Sequence, residues 1–244
     1  MIDQFFKDLF KNHKIGILGF GREGISSYKT LRKYLSDAEI FIFDQSELSP
    51  EKEQILASDN RVEIFEGKNY LDSLFRTDIV VKSPGIPTMH IEDLGYQGTI
   101  ISQADIFLKL FKDKAIGITG TKGKSTTASL LHHILVSSGR KPLLAGNIGV
   151  PPFEIIDEVS SDTIVVLELS IHQLENCTYS PHISVLLNLF EEHLDHYRSY
   201  SDYQLAKGNI FKFQMEKDFI IADLSNKEVS GLVKAIGSES ALID

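Results

Sequence analysis

The chain has 244 residues, a formal net charge of −9, 42% hydrophobic residues and 24% charged residues, values typical of a globular protein with a substantial core. The acidic balance argues against bulk nucleic-acid binding, which depends on Lys and Arg neutralising phosphates. The single cysteine, Cys177, excludes an internal disulfide and fits a reducing cytoplasm, and no apolar stretch approaches the roughly 20 residues of a membrane span.

Short apolar runs alternate with longer helical patterns along the chain. The predicted strands are 14–20, 39–44, 61–65, 78–83, 98–102, 115–120, 142–146, 162–169, 182–188 and 219–223. The predicted helices include 23–35, 50–58, 124–138, 202–214 and 225–236. Because strands alternate with helices, the pattern predicts an α/β fold of doubly wound, mainly parallel sheets.

Two glycine-rich turns predict two domains. One turn begins at Gly19 and the other at Gly120, and each lies between a predicted strand and a predicted helix. The polar segment FKDK, residues 111–114, separates the two patterns. We therefore expect a Rossmann-like domain over residues 1–112 and a P-loop ATPase-like domain over residues 113–244.

The second turn, TGTKGKST at residues 119–126, departs from the usual spelling of a phosphate-binding loop. The pattern G-x-x-x-x-G-K-[ST] requires a glycine where this chain has Ile118. The preceding strand, the two glycines and the following helix nevertheless favour a nucleotide site. There, backbone N–H groups and Lys124 would bind phosphate oxygens, and the Ser125 hydroxyl would bind Mg²⁺.

Two further segments carry candidate ligands. The run DTIVVLELS places Glu168 at the end of an apolar strand, where a carboxylate can hold the metal of a Mg–ATP site. Past the strand that ends at Asn188 lie His193, Asp195 and His196. On these residues alone a polar loop and a functional site are about equally favoured, and the imidazoles are too few for a closed zinc site.

The first turn supports a different function when it is taken alone. GFGREG, residues 19–24, matches the dinucleotide fingerprint, and Asp44 lies at the expected distance beyond it. That window favours an NAD-dependent oxidoreductase. Such an enzyme leaves the second loop, Glu168 and His193 unexplained, so we rank it lower. A non-catalytic nucleotide-binding module is a further alternative.

Taken together, the motifs resemble the Mur ligase family of ATP-dependent, amide-forming enzymes of peptidoglycan precursor synthesis. That family spells its loop T-G-T-x-G-K-[ST]-T, which TGTKGKST matches. The branch that adds D-glutamate is similar in four further segments: KSPGIP (82–87), GNIGVP (146–151), LELSIHQLE (167–175) and the run from Asn188 to Lys207. The resemblance extends from about residue 14 to the end of the chain.

The resemblance implies an enzyme that joins D-glutamate to UDP-N-acetylmuramoyl-L-alanine through an acyl phosphate, acting as a cytoplasmic monomer independent of nucleic acid and membrane. It implies that the catalytic residues are Lys124, Asn147, His193 and Lys207. ATP would bind Gly120, Thr121, Lys122, Gly123, Lys124, Ser125 and Thr126. The UDP-substrate would bind Gly21, Arg22, Glu23, Asp44, Ser83, Pro84, Gly85, Asn147 and Ser170.

The resemblance also implies two Mg²⁺ ions. Ser125 and Glu168 would hold one ion, and His193 with a carbamylated Lys207 would hold the other. A bare ammonium would repel Mg²⁺, whereas a carbamate supplies the hard anionic oxygen that Mg²⁺ prefers.

The chain departs from the family pattern at several positions. Ile171 and His172 stand where the family usually has Ser-Phe, Glu192 stands where Asp is common, and Gln45 follows Asp44 where an Arg often comes soon after. Family members also carry a third α/β domain that binds the incoming amino acid. We expect this chain to lack that domain and to be inactive as a ligase by itself.

Overall fold

The protein, described here by a computed structural model for residues 1–191 and 197–243, forms two compact units. The first unit is Met1–Gln103 and the second is Ala104–Asp244. Both consist of parallel strands with helices between them, so the predicted α/β class is confirmed.

The first unit contains a five-stranded parallel sheet. Its strands are β1 (Ile15–Leu18), β2 (Ile40–Asp44), β3 (Val62–Glu66), β4 (Ile79–Lys82) and β5 (Thr99–Ile101), in the order β3-β2-β1-β4-β5. Its helices are α1 (Ile2–Leu9), α2 (Arg22–Tyr34), α3 (Pro50–Leu56) and α4 (Thr88–Asp93). All residues of β1 and β4 are buried, as expected for central strands covered on both faces. The turn after β1 therefore lies at the middle of the sheet's carboxyl edge.

The second unit begins at Ala104, the second residue of α5 (Gln103–Phe111), and contains a six-stranded parallel sheet among its described residues. Its strands are β6 (Ala115–Thr119), β7 (Leu143–Gly146), β8 (Val165–Glu168), β9 (Ile183–Leu186), β10 (Phe219–Ala222) and β11 (Ala241–Ile243). Its further helices are α6 (Lys124–Ser137), α7 (Ile171–Leu174), α8 (Tyr200–Lys212) and α9 (Lys227–Ile236). The strand order β11-β10-β9-β6-β8-β7 places β6 between β8 and β9.

The boundary between the units lies at the start of α5, whereas the sequence predicted it after residue 112, at the other end of that helix. The hydrogen bonds of Asp105 give the physical reason. Its Oδ1 accepts a hydrogen bond from the Thr178 backbone N–H at 2.6 Å and from the Thr178 hydroxyl at 3.1 Å. These bonds tie α5 to the second unit, and a local change in composition does not reveal them.

The predicted strands and helices lie where they were expected, and most are shorter at their ends. The elements outside the predicted set are α1, α4, α5, the one-turn α7 and the three-residue β11, whose residues are all exposed. The shortest of these, α7 and β11, carry no clear periodicity. Within residues 1–191 and 197–243, every helix is too short or too polar to cross a membrane.

A buried carboxylate holds the start of β10 in place. Asp218 is fully buried, with Oδ1 at 2.8 Å from His182 Nδ1 and Oδ2 at 3.5 Å from Lys112 Nζ. Oδ2 also accepts a hydrogen bond from the Met215 N–H at 2.9 Å. Burial by itself raises the pKa of Asp218, but the hydrogen bonds from His182 and Met215 and the charge of Lys112 together outweigh it and hold the pKa below its ordinary value.

We expect Asp218→Asn to lower the free energy of unfolding at pH 7 by about 1–3 kcal/mol, because a buried network loses its charged acceptor. A lowered pKa means that the contribution of the carboxylate is complete above the unfolded-state value of about 3.9 and is lost as the pH falls through the folded-state value. The difference between variant and wild type should therefore shrink in acid. Urea unfolding at pH 7 and at successively lower pH measures both effects.

The matched control is Asp113→Asn, which removes an exposed ion pair whose Asp113 Oδ1 lies 3.0 Å from Lys217 Nζ. Exposed pairs are screened by solvent, so this variant should leave stability almost unchanged. An equal loss in the two variants, or a loss in Asp218→Asn that does not depend on pH, would contradict the role given to Asp218.

Candidate functional site

A loop with two glycines joins β6 to α6 in the second unit. Gly123 has a φ of 86°, a left-handed conformation that favours glycine, and α6 starts directly after it. The first N–H groups of a helix have no intrahelical acceptor, and the helix dipole adds a partial positive charge there. Lys124 Nζ donates to the carbonyl oxygens of Gly120 and Thr121, at 3.0 Å each. The exposed Ser125 and Thr126 follow, so the loop offers several donors and an ammonium group to an anion.

The predicted metal ligand Glu168 lies at the same edge of the sheet as this loop. In the parallel register Glu168 pairs with Ile118 on β6 and with Gly146 on β7. A Cβ at Gly146, whose φ is 108°, would collide with the Glu168 carbonyl group. Glycine at this position therefore allows β7 to bring the next residue, Asn147, against Glu168.

Glu168 has an unusual environment for a carboxylate. It is fully buried, and its Oε1 accepts a hydrogen bond from Asn147 Nδ2 at 2.6 Å. Its Oε2 is also buried, and it has no hydrogen-bond partner among the described residues. A buried carboxylate oxygen without a donor is unfavourable unless a cation compensates it. The residue therefore fits a site for a hard cation such as Mg²⁺.

No cluster of three His, Cys, Asp or Glu side chains that could hold a metal is found within residues 1–191 and 197–243. The oxygens that could complete the shell of a cation at Glu168 include those of hydroxyl groups, phosphates and water. Such a ligand set is what Mg²⁺ takes beside a nucleotide, where one or two protein groups and the phosphates share the ion. Ser125, on the first turn of α6, is the hydroxyl that the sequence predicts for this role.

A second set of contacts connects the phosphate-type loop to α8. The Thr121 hydroxyl accepts a hydrogen bond from the Phe190 N–H at 2.9 Å and lies 3.0 Å from the hydroxyl of Tyr203, which is fully buried. One turn further along α8, Lys207 is 2% exposed, and its Nζ lies 5.0 Å from the centre of the Tyr203 ring. The helix that carries the predicted lysine ligand is therefore in direct contact with the loop.

His193, predicted as the partner of Lys207, lies with Asp195 and His196 in residues 192–196, outside the described residues. Its pairing with Lys207 stays a prediction.

Ser170 lies two residues beyond Glu168 and is the N-cap of α7. Its side chain forms a capping box with Gln173, in which the Gln173 N–H donates to Ser170 Oγ at 3.3 Å. His172, which departs from the family pattern, stacks on Tyr197 with ring centres 6.2 Å apart. The predicted substrate role of Ser170 therefore falls on a residue that already fixes the start of a helix, and it stays a prediction.

The first unit brings its own set of predicted residues together at the carboxyl edge of β1. Ser83 Oγ donates to the Gly19 carbonyl oxygen at 2.9 Å, and a Cβ at Gly24 would collide with the same carbonyl group. Asp44, at the end of β2, accepts the Phe20 N–H through Oδ2 at 2.7 Å and the Ser46 N–H through Oδ1 at 2.9 Å. The turn therefore lies between the ends of β2 and β4.

The remaining predicted residues of this site flank that turn. Gly21 directly precedes α2, and Arg22 and Glu23 occupy its first turn. Pro84 and Gly85 follow Ser83 just past the end of β4.

The sequence did not assign roles to Asn188 and Tyr203, although both contact the phosphate-type loop. Asn188 Oδ1 accepts the Lys122 N–H at 2.9 Å, and the Asn188 carbonyl oxygen accepts the Thr121 N–H at 3.0 Å. The available signal was positional, because an amide side chain just past a central parallel strand lies at the edge where ligands bind.

Comparison with known proteins identifies relatives for both units. The family model described as Mur ligase middle domain matches residues 118–241, and the one described as MurD N-terminal domain matches residues 14–90. The UDP-N-acetylmuramoylalanine--D-glutamate ligase of Clostridium botulinum is 34% identical over 236 residues, which cover 93% of this chain and 50% of the relative. The ligase of the same name from Acetivibrio thermocellus is 35% identical over 240 residues, covering 94% and 50%.

Thus the chain spans about half the length of the curated relatives it matches. Among solved structures, the UDP-N-acetylmuramate:L-alanyl-gamma-D-glutamyl-meso-diaminopimelate ligase from Neisseria meningitides aligns with a TM-score of 0.56 at 19% identity. The alignment covers 93% of this chain and 76% of that one, and at this identity it supports the fold alone.

We expect Glu168→Gln to preserve the fold while abolishing the effect of Mg²⁺ on nucleotide binding. The amide keeps the shape of the side chain but removes the negative charge that a cation would neutralise. Without ligands, the melting temperature should stay level or rise, because a buried charge has been removed. ATP titrations with Mg²⁺ and with EDTA measure the effect. The exposed Glu158→Gln is the control, and a variant of Glu168 that keeps the full Mg²⁺ effect would exclude Glu168 as a ligand.

Proposed function

The chain belongs to the Mur ligase family, and from that premise we propose that it forms the ATP site and the UDP-substrate site of an ATP-dependent amide ligase. The proposed reaction joins D-glutamate to UDP-N-acetylmuramoyl-L-alanine in peptidoglycan precursor synthesis, the activity named for the curated relatives. The proposal rests on the edge of the second sheet at which β6 and β8 both end. There the loop of Gly120 to Thr126 lies beside a buried, incompletely bonded Glu168.

The chemistry explains why such an edge is needed. In the first step a substrate carboxylate attacks the γ-phosphorus of ATP, giving an acyl phosphate and ADP. In the second step the amine of D-glutamate attacks the acyl carbon, and phosphate leaves. Both reactants of the first step are anions, so their approach requires fixed positive charge. Lys124 and the N–H groups at the start of α6 would supply it from the protein.

Mg²⁺ held by Ser125 and Glu168 would add further charge neutralisation at the β- and γ-phosphates when it is bound. Asn147 holds one oxygen of Glu168 and leaves the other for the ion. On the substrate side, we assign Asn147 and Ser170 to the muramoyl-alanine end, because both follow strands that end at this edge. His193 and Lys207 are proposed for a second ion, with Lys207 as its carbamate.

The UDP part of the substrate is assigned to the first unit, around Gly21, Arg22, Glu23, Asp44 and the Ser83-Pro84-Gly85 segment. The alternative, a dinucleotide-dependent oxidoreductase, is less favoured because it gives no role to the second glycine-rich loop, to the buried Glu168 or to Lys207. A non-catalytic nucleotide-binding module is also less favoured, since it gives no role to the buried Lys207 beside the loop.

The proposal also covers the setting of the enzyme. A cytoplasmic location fits a reaction that consumes ATP, and the net charge of −9 fits an enzyme that does not bind nucleic acid. We propose that the protein is a monomer, which light scattering coupled to size-exclusion chromatography tests.

Ligand titration of the 244-residue chain tests the two sites separately. We expect calorimetry to show binding of Mg–ATP and of UDP, with little binding of NADH. Lys124→Ala should lose most of the ATP affinity, because a phosphate-binding cation is removed from the loop, and should keep the UDP affinity of the wild type. The UDP site thus reports whether the first unit of the variant is folded, and the melting temperature reports on the second. Tight NADH binding, or unchanged ATP binding in Lys124→Ala, would overturn the assignment.

Ligase activity can be assayed in a chimera in which this chain replaces the matching half of the C. botulinum relative. In that chimera we expect Lys207→Ala to abolish phosphate release and short carboxylic acids such as acetate to restore part of it. The added acid would supply the anionic oxygen that the carbamate provides. Only a neutral amine reacts with CO₂, and burial favours the neutral form of an amine.

The Lys207→Arg variant is the control for charge, because it keeps a cation but cannot form the carbamate. Activity retained in Lys207→Arg, together with no rescue of Lys207→Ala by acetate, would show that Lys207 acts as a plain cation.

A further inference from the structure

The pairing between β6 and β9 continues past the ends of both strands through one asparagine. The main-chain ladder ends with the Leu187 N–H donating to the Thr119 carbonyl and the Thr121 N–H donating to the Asn188 carbonyl, at 3.0 Å each. Beyond that point the loop leaves the sheet toward α6, and the Asn188 side chain, rather than the main chain, forms the hydrogen bonds to it. Its Oδ1 accepts the Lys122 N–H at 2.9 Å, and its Nδ2 donates to the Lys122 carbonyl oxygen at 3.0 Å.

The clamped residue lies between the two glycines of the loop, Gly120 and Gly123. Glycines allow the loop its shape but also leave it many alternative conformations. An amide side chain can accept from one group and donate to another at the same time, which neither a carboxylate nor an alkyl group can do. The Asn188 amide is therefore matched to both polar groups of the Lys122 peptide unit. With the Lys122 N–H occupied, phosphate oxygens are left to the N–H groups that follow it at the start of α6.

We propose that Asn188 is a positioning residue of the nucleotide site, which holds the Lys122 backbone so that the loop has its phosphate-binding shape before the nucleotide arrives. This inference rests on the proposed ATP function of the same loop. A loop that is ordered in advance loses less conformational entropy on binding, so the clamp raises affinity without touching the ligand.

The first arm of the test removes the clamp. Asn188→Ala should weaken binding of Mg–ATP and Mg–ADP roughly tenfold, the scale expected when two net hydrogen bonds no longer order the loop. The nearly isosteric Asn188→Asp should bind more weakly still, because it loses the donor and places a negative charge near the phosphates. Part of the Asn188→Asp deficit should disappear at high salt, since the repulsion is screened.

The second arm separates positioning from general stability. Asn209 also makes two side-chain bonds to the main chain, away from the loop, since its Nδ2 donates to the carbonyl oxygens of Leu174 at 3.0 Å and Glu175 at 3.4 Å. Asn209→Ala should therefore lower the melting temperature to a similar degree while leaving the affinity for Mg–ATP within about twofold of wild type. Hydrogen exchange of the Lys122 amide, followed by NMR, should accelerate in Asn188→Ala and stay unchanged in Asn209→Ala.

The outcomes distinguish this inference from the proposed function. A wild-type chain that does not bind Mg–ATP would overturn both. If wild type binds and Lys124→Ala does not, but both Asn188 variants bind as tightly as wild type, the ATP site stands and the positioning role is wrong. Equal losses of affinity in Asn188→Ala and Asn209→Ala would also overturn it. If Asn188→Ala does not fold, Asn188→Asp carries the same comparison.

Discussion

The parallel pairing of β6 with both of its neighbours is the constraint on which the candidate site depends. Ile118 is in register with Glu168 on β8, and Thr119 is in register with Leu186 on β9. Because all three strands run the same way, their carboxyl ends reach one edge of the sheet at the same level. The phosphate-type loop, the buried carboxylate and the Asn188 clamp are consequences of that register, and a shift of one residue would turn Glu168 to the opposite face.

The charged and polar side chains buried near this edge are not the residues that would stabilise the fold best. Glu168, Tyr203 and Lys207 are almost completely inaccessible to solvent. Apolar residues of similar volume in such positions often make a protein equally or more stable. Natural sequences break the rules of core design mainly where function requires it. The concentration of these groups around one loop therefore supports a chemical role for the carboxyl edge. The buried Asp218, whose carboxylate is bonded at both oxygens, shows how a structural carboxylate differs from Glu168.

The parts of the fold that could be predicted from the sequence are those encoded by neighbouring residues. Apolar runs predicted the strands. The turn TGTKGKST predicted the phosphate-type loop, and Glu168, which follows the run IVVL, was predicted as its carboxylate. Contacts between distant residues could not be predicted. Asn188 is 66 residues from Lys122, and Tyr203 is 82 residues from Thr121, so only the folded sheet brings them together. The start of the second compact unit at Ala104 depends on such a contact as well, since α5 is attached through Thr178.

The two glycine turns look alike in sequence, but the residue that supports each turn differs in charge. In each unit, a side chain from the end of a neighbouring strand accepts an N–H of the turn: Asp44 binds Phe20, and Asn188 binds Lys122. The first turn is therefore bonded to a carboxylate, whereas the second is bonded to a neutral amide and carries the ammonium of Lys124. The charge around the second turn suits a triphosphate better than the carboxylate that supports the first turn. This difference in charge, rather than the glycine pattern, supports the proposed ATP site in the second unit.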